Sequence, residues 1–202
     1  MTTSTKKSKK SAAAKSKRRY IGKPGGVIQE RVQKAGPERF GIIAVDCAKK
    51  RSKWFLCDYY GRVIIEPTTV EHNSGCLKAM TRQIQDACEA EGIVDSIAAV
   101  EMTGVYHRPV QRALHKAGFD TRTVHPFASS HYRKTLHPDI KTDDNDLEAI
   151  FHAAINGYGL ALLDVDPVYL SLQGHARHRR NLVKQRARLK TQLVGDIDQT
   201  CR

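Results

Sequence analysis

No stretch of the sequence approaches the ~18 consecutive apolar residues of a membrane-spanning helix. The N-terminus is charged but has no apolar segment behind the charge, so it lacks the build of a secretory signal. Its lysine richness argues against a transit peptide, which favours arginine. Cysteine is sparse. Cys47, Cys57, Cys76, Cys88 and Cys201 are odd in number and include no C-x-x-C pair, so neither a disulfide framework nor a zinc site is suggested. No internal repeat is visible. These absences predict a cytoplasmic protein with reduced thiols, no membrane partner and one core, because 202 residues suit a single domain with some extra length.

What the chain has in excess is positive charge, unevenly placed. The formal net charge is +13, of which residues 1–34 carry +10 and residues 171–202 carry +6, while residues 35–170 sum to −3. A mildly acidic domain between two basic ends predicts a polyanionic partner, since clustered Lys and Arg gain affinity by releasing counterions from a phosphate backbone. Nucleic acid is the first candidate, and association with the nucleoid follows from it.

Along the chain, residues 1–38 are Lys, Ser, Ala and Gly with few large apolar side chains, a composition that predicts a disordered basic arm. The ordered domain is expected over residues 39–160. FGIIAVD reads as a central strand ending on Asp46, and SKWFLCD and RVIIEP as two more strands joined around Gly61. Leu77, Met80, Ile84 and Ala87 recur at helical spacing, with Asn73 and Ser74 able to cap that helix and Gly92 to stop it. SIAAVE is a strand ending on Glu101. The following segment carries Tyr106, Val110, Ala113, Leu114 and Ala117 on one helical face, with His107 expected on the helix surface. TRTVHP reads as a short strand, residues 129–142 as a polar loop, and Leu147, Ile150, Phe151 and Ala154 as the last helix of the domain, capped by Asn156 and Gly157. The order β-β-β-α-β-α-β-α predicts an α/β fold of RNase H-like (RuvC-like) type, a mixed sheet flanked by helices. Residues 165–202 read as the start of a long basic helix with a partial coiled-coil seam at Leu182, Leu189 and Leu193.

The chemistry is carried by acids. Asp46 and Glu101 each end an apolar strand, and Asp143 and Asp146, three apart at a helix start, share a face from which Asp144 diverges. Any one of them alone is better read as a solvated strand end or a complement to a helix dipole. Together they form the kind of carboxylate set that phosphodiester chemistry with divalent metal requires. His175 and His178 have a metal-like gap, but the arginines around them favour a helix facing a polyanion.

In these blocks a resemblance becomes recognisable. AVDCAKK, VEMTGVYHRPV and KTDDNDLEAI, in that order and spacing, resemble the three blocks of the DEDD transposases of the insertion-sequence-110 family, and HRRNLVKQRARLKTQL resembles the coiled-coil segment that follows them. The likeness runs from about Phe40 to the C-terminus. It implies that Asp46, Glu101, Asp143 and Asp146 are catalytic and coordinate Mg²⁺, with Mn²⁺ able to substitute. It further implies strand cleavage and transfer between donor and target DNA, guided by a structured noncoding RNA, the bridge RNA, with dimers or tetramers built on the coiled coil. Arg133, Lys134 and Lys141, and then Arg177, Arg179, Arg180, Lys184, Arg186 and Arg188, are the candidate nucleic-acid contacts. A second domain bearing a serine nucleophile, found in the family, is expected to be absent from this chain. Two other readings stay open beside this one: a stand-alone nuclease of the Holliday-junction type, and a truncated nucleic-acid-binding remnant.

Overall fold

Alternation along the strands decides which side chains meet which helices. The computed structural model describes residues 28–138, 140, 142–161 and 167–200. Its first unit is built on a six-stranded sheet of β1 (Phe40–Cys47), β2 (Arg51–Asp58), β3 (Val63–Glu71), β4 (Asp95–Glu101), β5 (Asp120–Val124) and β6 (Gly159–Ala161), in the order β3-β2-β1-β4-β5-β6. β1, β4 and β5 run parallel, and β2, β3 and β6 are antiparallel to their neighbours. The meander β1-β2-β3 turns tightly at Gly61, whose φ of 90° suits a residue without Cβ. The parallel strands are linked by the helices α2 (Ser74–Ala90) and α3 (His107–Lys116). The expected order of strands and helices is present, and the expected Asn73 cap accepts a bond of 2.7 Å from the Cys76 N–H.

Because side chains alternate across a sheet, β1 feeds two cores. Ile43, Val45 and Cys47 join Ala98 and Val100 under Leu77, Met80 and Ile84 of α2 and Val110 and Leu114 of α3. Phe40, Ile42 and Ala44 join Ile97 and Ala99 on the other face. There they pack against Leu147, Ile150 and Phe151 of α5 (Asp143–Ile155) and Ala128 of α4 (Pro126–Leu136). The central strands are covered on both sides, which is why they read as continuous apolar runs.

Three segments differ from the sequence expectation, one of them the short edge strand β6, which was not expected. Residues 28–38, expected to belong to the disordered arm, form α1 (Gln29–Ala35) and a 3-10 turn at Pro37–Arg39. Ile28 and Val32 are buried against the α5 face of the sheet, and Arg31 is ion-paired with Asp95 at 2.6 Å and with Asp120, so a short apolar pair and one guanidinium anchor a segment of polar composition. The rest of the expected arm, residues 1–27, lies outside the described residues. The polar stretch from Ser129 onward is also not a loop but most of α4. Pro126 opens this helix at a position that needs no N–H, the His125 side chain caps it by accepting from the Phe127 N–H, and no glycine interrupts the turn pattern before Pro138.

The second unit, residues 163–202, contains one helix, α6 (Pro167–Thr200), 34 residues long and thus ~50 Å at 1.5 Å per residue. Its Leu182, Leu189 and Leu193 are exposed. Among the described residues no helix is long and apolar enough to cross a membrane.

Candidate active site

The parity of the sheet puts two acids side by side. Asp46 follows Phe40, Ile42 and Ala44 on the α5 face of β1, and Glu101 follows Ile97 and Ala99 on the same face of β4. Val45 pairs with Val100 in parallel register, so Asp46 and Glu101 are the next pair at the carboxyl ends of adjacent strands. Both are half-buried. Ligand sites of open α/β sheets lie at this edge, where strand ends and helix starts meet.

The other two acids come from the start of α5. Thr142 caps it, its hydroxyl accepting from the Asn145 N–H at 3.2 Å, which makes Asp143 and Asp146 the first and fourth helical residues. The buried stripe of Leu147, Ile150, Phe151 and Ala154 lays α5 on the face that carries Asp46. Asp146 is turned inward, Asp143 is exposed, and Asp144 points away to pair with Lys53 of β2 at 2.8 Å.

The electrostatics register this convergence at Asp46. Burial pushes its carboxyl up to about 6, and the negative charge of Glu101, with which it is close enough to share a proton, adds to the rise. Asp146 and then Asp143 contribute the remainder. The other three acids thus each act on the Asp46 carboxyl. They are not drawn tight around it: among the described residues, no three His, Cys, Asp or Glu side chains are grouped closely enough to hold a metal ion. Glu101 and Asp146 are held by other partners. Ser129 of α4 donates to Glu101 Oε1, the Thr103 hydroxyl lies 3.4 Å from Glu101 Oε2, and Arg133 Nη1 donates to Asp146 Oδ1 at 2.6 Å.

The donor chemistry fits a hard divalent cation. Four carboxylates with no sulfur or imidazole among them suit Mg²⁺ or Mn²⁺ better than softer ions. His107, expected on a helix surface, is instead buried at the start of α3, and its Nδ1 has no partner among the described residues. Burial and then Arg108 lower its pKa, so it is neutral at pH 7 and adds no charge to this rim.

The basic candidates divide. Lys134 is exposed, and so are Arg177, Arg179, Arg180, Lys184, Arg186 and Arg188 along α6. Arg133 is half-buried and committed to Asp146, and Lys141 lies outside the described residues. Sequence reasoning passed over two groups. The β1-β2 turn carries Lys49, Lys50 and Arg51 along a groove shared with His72 and Asn73, three residues beyond Asp46, and the run AKKRSK was a visible signal for it. Ser129 gave no signal, since a serine in an apparent loop is unremarkable.

A family model described as a transposase, of the DEDD insertion-sequence-110 type, matches residues 43–202. Among solved structures, RuvC of T. thermophilus in complex with a Holliday junction substrate is similar over 61% of this chain and 99% of its own, at 13% identity and a TM-score of 0.41. A second T. thermophilus RuvC structure is similar over 60% of this chain and 99% of its own, at 11% identity and a TM-score of 0.39. A ROK family transcriptional regulator, a homologue of the E. coli MLC protein, is similar over 55% of this chain and 36% of its own, at 12% identity and a TM-score of 0.36. Likenesses this loose carry no functional conclusion. No curated protein matches the chain.

Proposed function

This chain belongs to the DEDD transposase family of insertion sequence 110, and on that footing we propose that Asp46, Glu101, Asp143 and Asp146 are the site of metal-dependent DNA strand cleavage and transfer. The observation that carries the proposal is the placement of Asp46 and Glu101 at the adjacent carboxyl ends of β1 and β4 with Asp146 turned inward from the start of α5, and the rise of the Asp46 carboxyl through burial and the other acids agrees with it. Four like charges gathered at one sheet edge repel one another, and structural ion pairing would have supplied a cation for each. Here Arg133 meets only Asp146, and clustered acids with a perturbed member are characteristic of catalytic sites.

The four carboxylates would hold Mg²⁺, or Mn²⁺ in its place. Bound there, such ions supply charge stabilisation to attacking and leaving phosphate oxygens. The residues of this chain do the rest. Asp46 and Glu101 fix one side of the site on rigid parallel strands. Asp143 and Asp146 bring the other side on a helix start, with Asp143 free to turn because it is exposed. Lys49, Lys50 and Arg51 present positive charge beside the rim to a DNA backbone, and the exposed basic residues of α6 offer more. From family membership we extend the proposal to donor and target DNA, a structured guide RNA and homo-oligomers, with the protein reading backbone shape while base pairing reads sequence.

The test is calorimetric. Mn²⁺ titrated at pH 8 is expected to bind the parent chain and to lose that binding in the Asp143→Ala, Asp146→Ala double variant. Equal binding in both would end the metal assignment.

A further inference from the structure

One helix reaches two of the four acids. Ser129 and Arg133 are i and i+4 on α4, so their side chains stand one turn apart on the same face, and α4 packs along α5. From that face Ser129 Oγ donates to Glu101 Oε1 and Arg133 Nη1 donates to Asp146 Oδ1 at 2.6 Å. The two acids come from different elements, a strand end and a helix start, yet each has one oxygen held by the same helix.

We propose that Ser129 and Arg133 are positioning residues that set the orientation of Glu101 and Asp146 toward a divalent cation. The inference rests on the reading of the four acids as its ligands. A carboxylate can rotate about its last bond, and a donor fixed on one oxygen restricts that freedom while the other oxygen, which at Glu101 has a long 3.4 Å contact from the Thr103 hydroxyl, can turn to the cation. Ser129 is suited to this because it is itself immobile. It is 5% exposed, and its oxygen lies 3.1 Å from the Pro126 carbonyl in the first turn of the helix. Its single proton goes to the charged carboxylate as the stronger acceptor. Arg133 contributes a charge-assisted bond to an inward-facing Asp146, both side chains being largely shielded from water.

A competing role for Arg133 has the opposite sign. A guanidinium that merely occupies Asp146 competes with the cation, so removing it would tighten binding, whereas removing an orienting donor loosens it. Ser129 carries no charge, which makes it the cleaner arm of the test.

Mn²⁺ affinity is measured by electron paramagnetic resonance at pH 8 for the parent, Ser129→Ala, Ser129→Thr, Arg133→Met and Arg133→Lys, with circular dichroism and melting curves to establish folding. The expected result is affinity weakened about tenfold in Ser129→Ala and Arg133→Met, in line with the effect of removing outer-shell partners of metal ligands. Ser129→Thr and Arg133→Lys, which keep a donor, should recover most of it with no matching trend in melting temperature. Either residue is struck from the assignment if its truncated variant binds Mn²⁺ as well as the parent or better, or if its conservative variant fails to recover binding. If the parent itself does not bind Mn²⁺, the four-acid metal reading fails, and this inference falls with it.

Discussion

Asp46 stands in an environment that disfavours its own charge, and the sign of that conflict fixes a pH dependence. Its carboxyl titrates at about 6 in the fold against an ordinary value of 3.8. The folded chain thus holds this proton more tightly than the unfolded chain, so the associated stability is complete below 3.8 and is lost as pH rises through 6. Asp46→Asn, which mimics the protonated form, is expected to raise the melting temperature by ~2–4 °C at pH 8, a scale that allows for solvent screening of a half-buried group. At pH 4.5 the gain should fall to about a third of this, and it should vanish below 3.8. A loss of stability at pH 8 would show that Asp46 carries a structural bond rather than a burial cost. Asp46 and Glu101 were legible in the sequence because an apolar strand that stops at an acid is a local pattern. Whether four acids meet is a tertiary fact, which no spacing could supply.

Among the elements the sequence failed to announce, α1 and α4 are the two that matter to the site and its support. α1 sits in a lysine-rich, polar stretch, and the only cue was Ile28 and Val32 at i and i+4, swamped by their surroundings. Ile28 is fully buried in the same core as Phe40, Ile97 and Phe151. Ile28→Ala should therefore cost ~2–4 kcal/mol in chemical denaturation, the usual penalty for emptying a core site, while the exposed Glu30→Ala costs a fraction of that. A penalty below ~1 kcal/mol would mean that α1 does not belong to the cooperative unit. α4 was hidden for a different reason. SSHYRKTL has no full apolar stripe, because α4 meets the core through Ala128 and Tyr132 and turns Ser129 and Arg133 to acids. The long periodic helices α2, α3 and α5 were readable from sequence, since each lays an apolar stripe on the sheet.

Across the whole chain, positive charge is concentrated at the two ends and on one turn. The acids lie at the end of a sheet in a domain of negative net charge, while the cations gather in residues 1–34, on the β1-β2 turn and along helix α6. If the turn grips a phosphate backbone, affinity for duplex DNA should fall steeply with salt, and the Lys49→Ala, Lys50→Ala, Arg51→Ala triple variant should flatten the log–log slope by about 2.7, roughly 0.9 for each of three lost contacts. An unchanged slope would place the DNA elsewhere. The wiring of the sheet also bears on when the site comes into being. Asp46 precedes Asp143 by 97 residues in the chain, and β1 cannot be flanked by β4 until the intervening strands and α2 have been made. At a translation rate of 5 to 20 residues per second, Asp46 waits roughly 5 to 20 s for its last partners. A ribosome-bound chain that has already paired β1 to β5 still lacks half of its carboxylates, so the proposed metal site is incomplete in every nascent chain until α5 has emerged and docked.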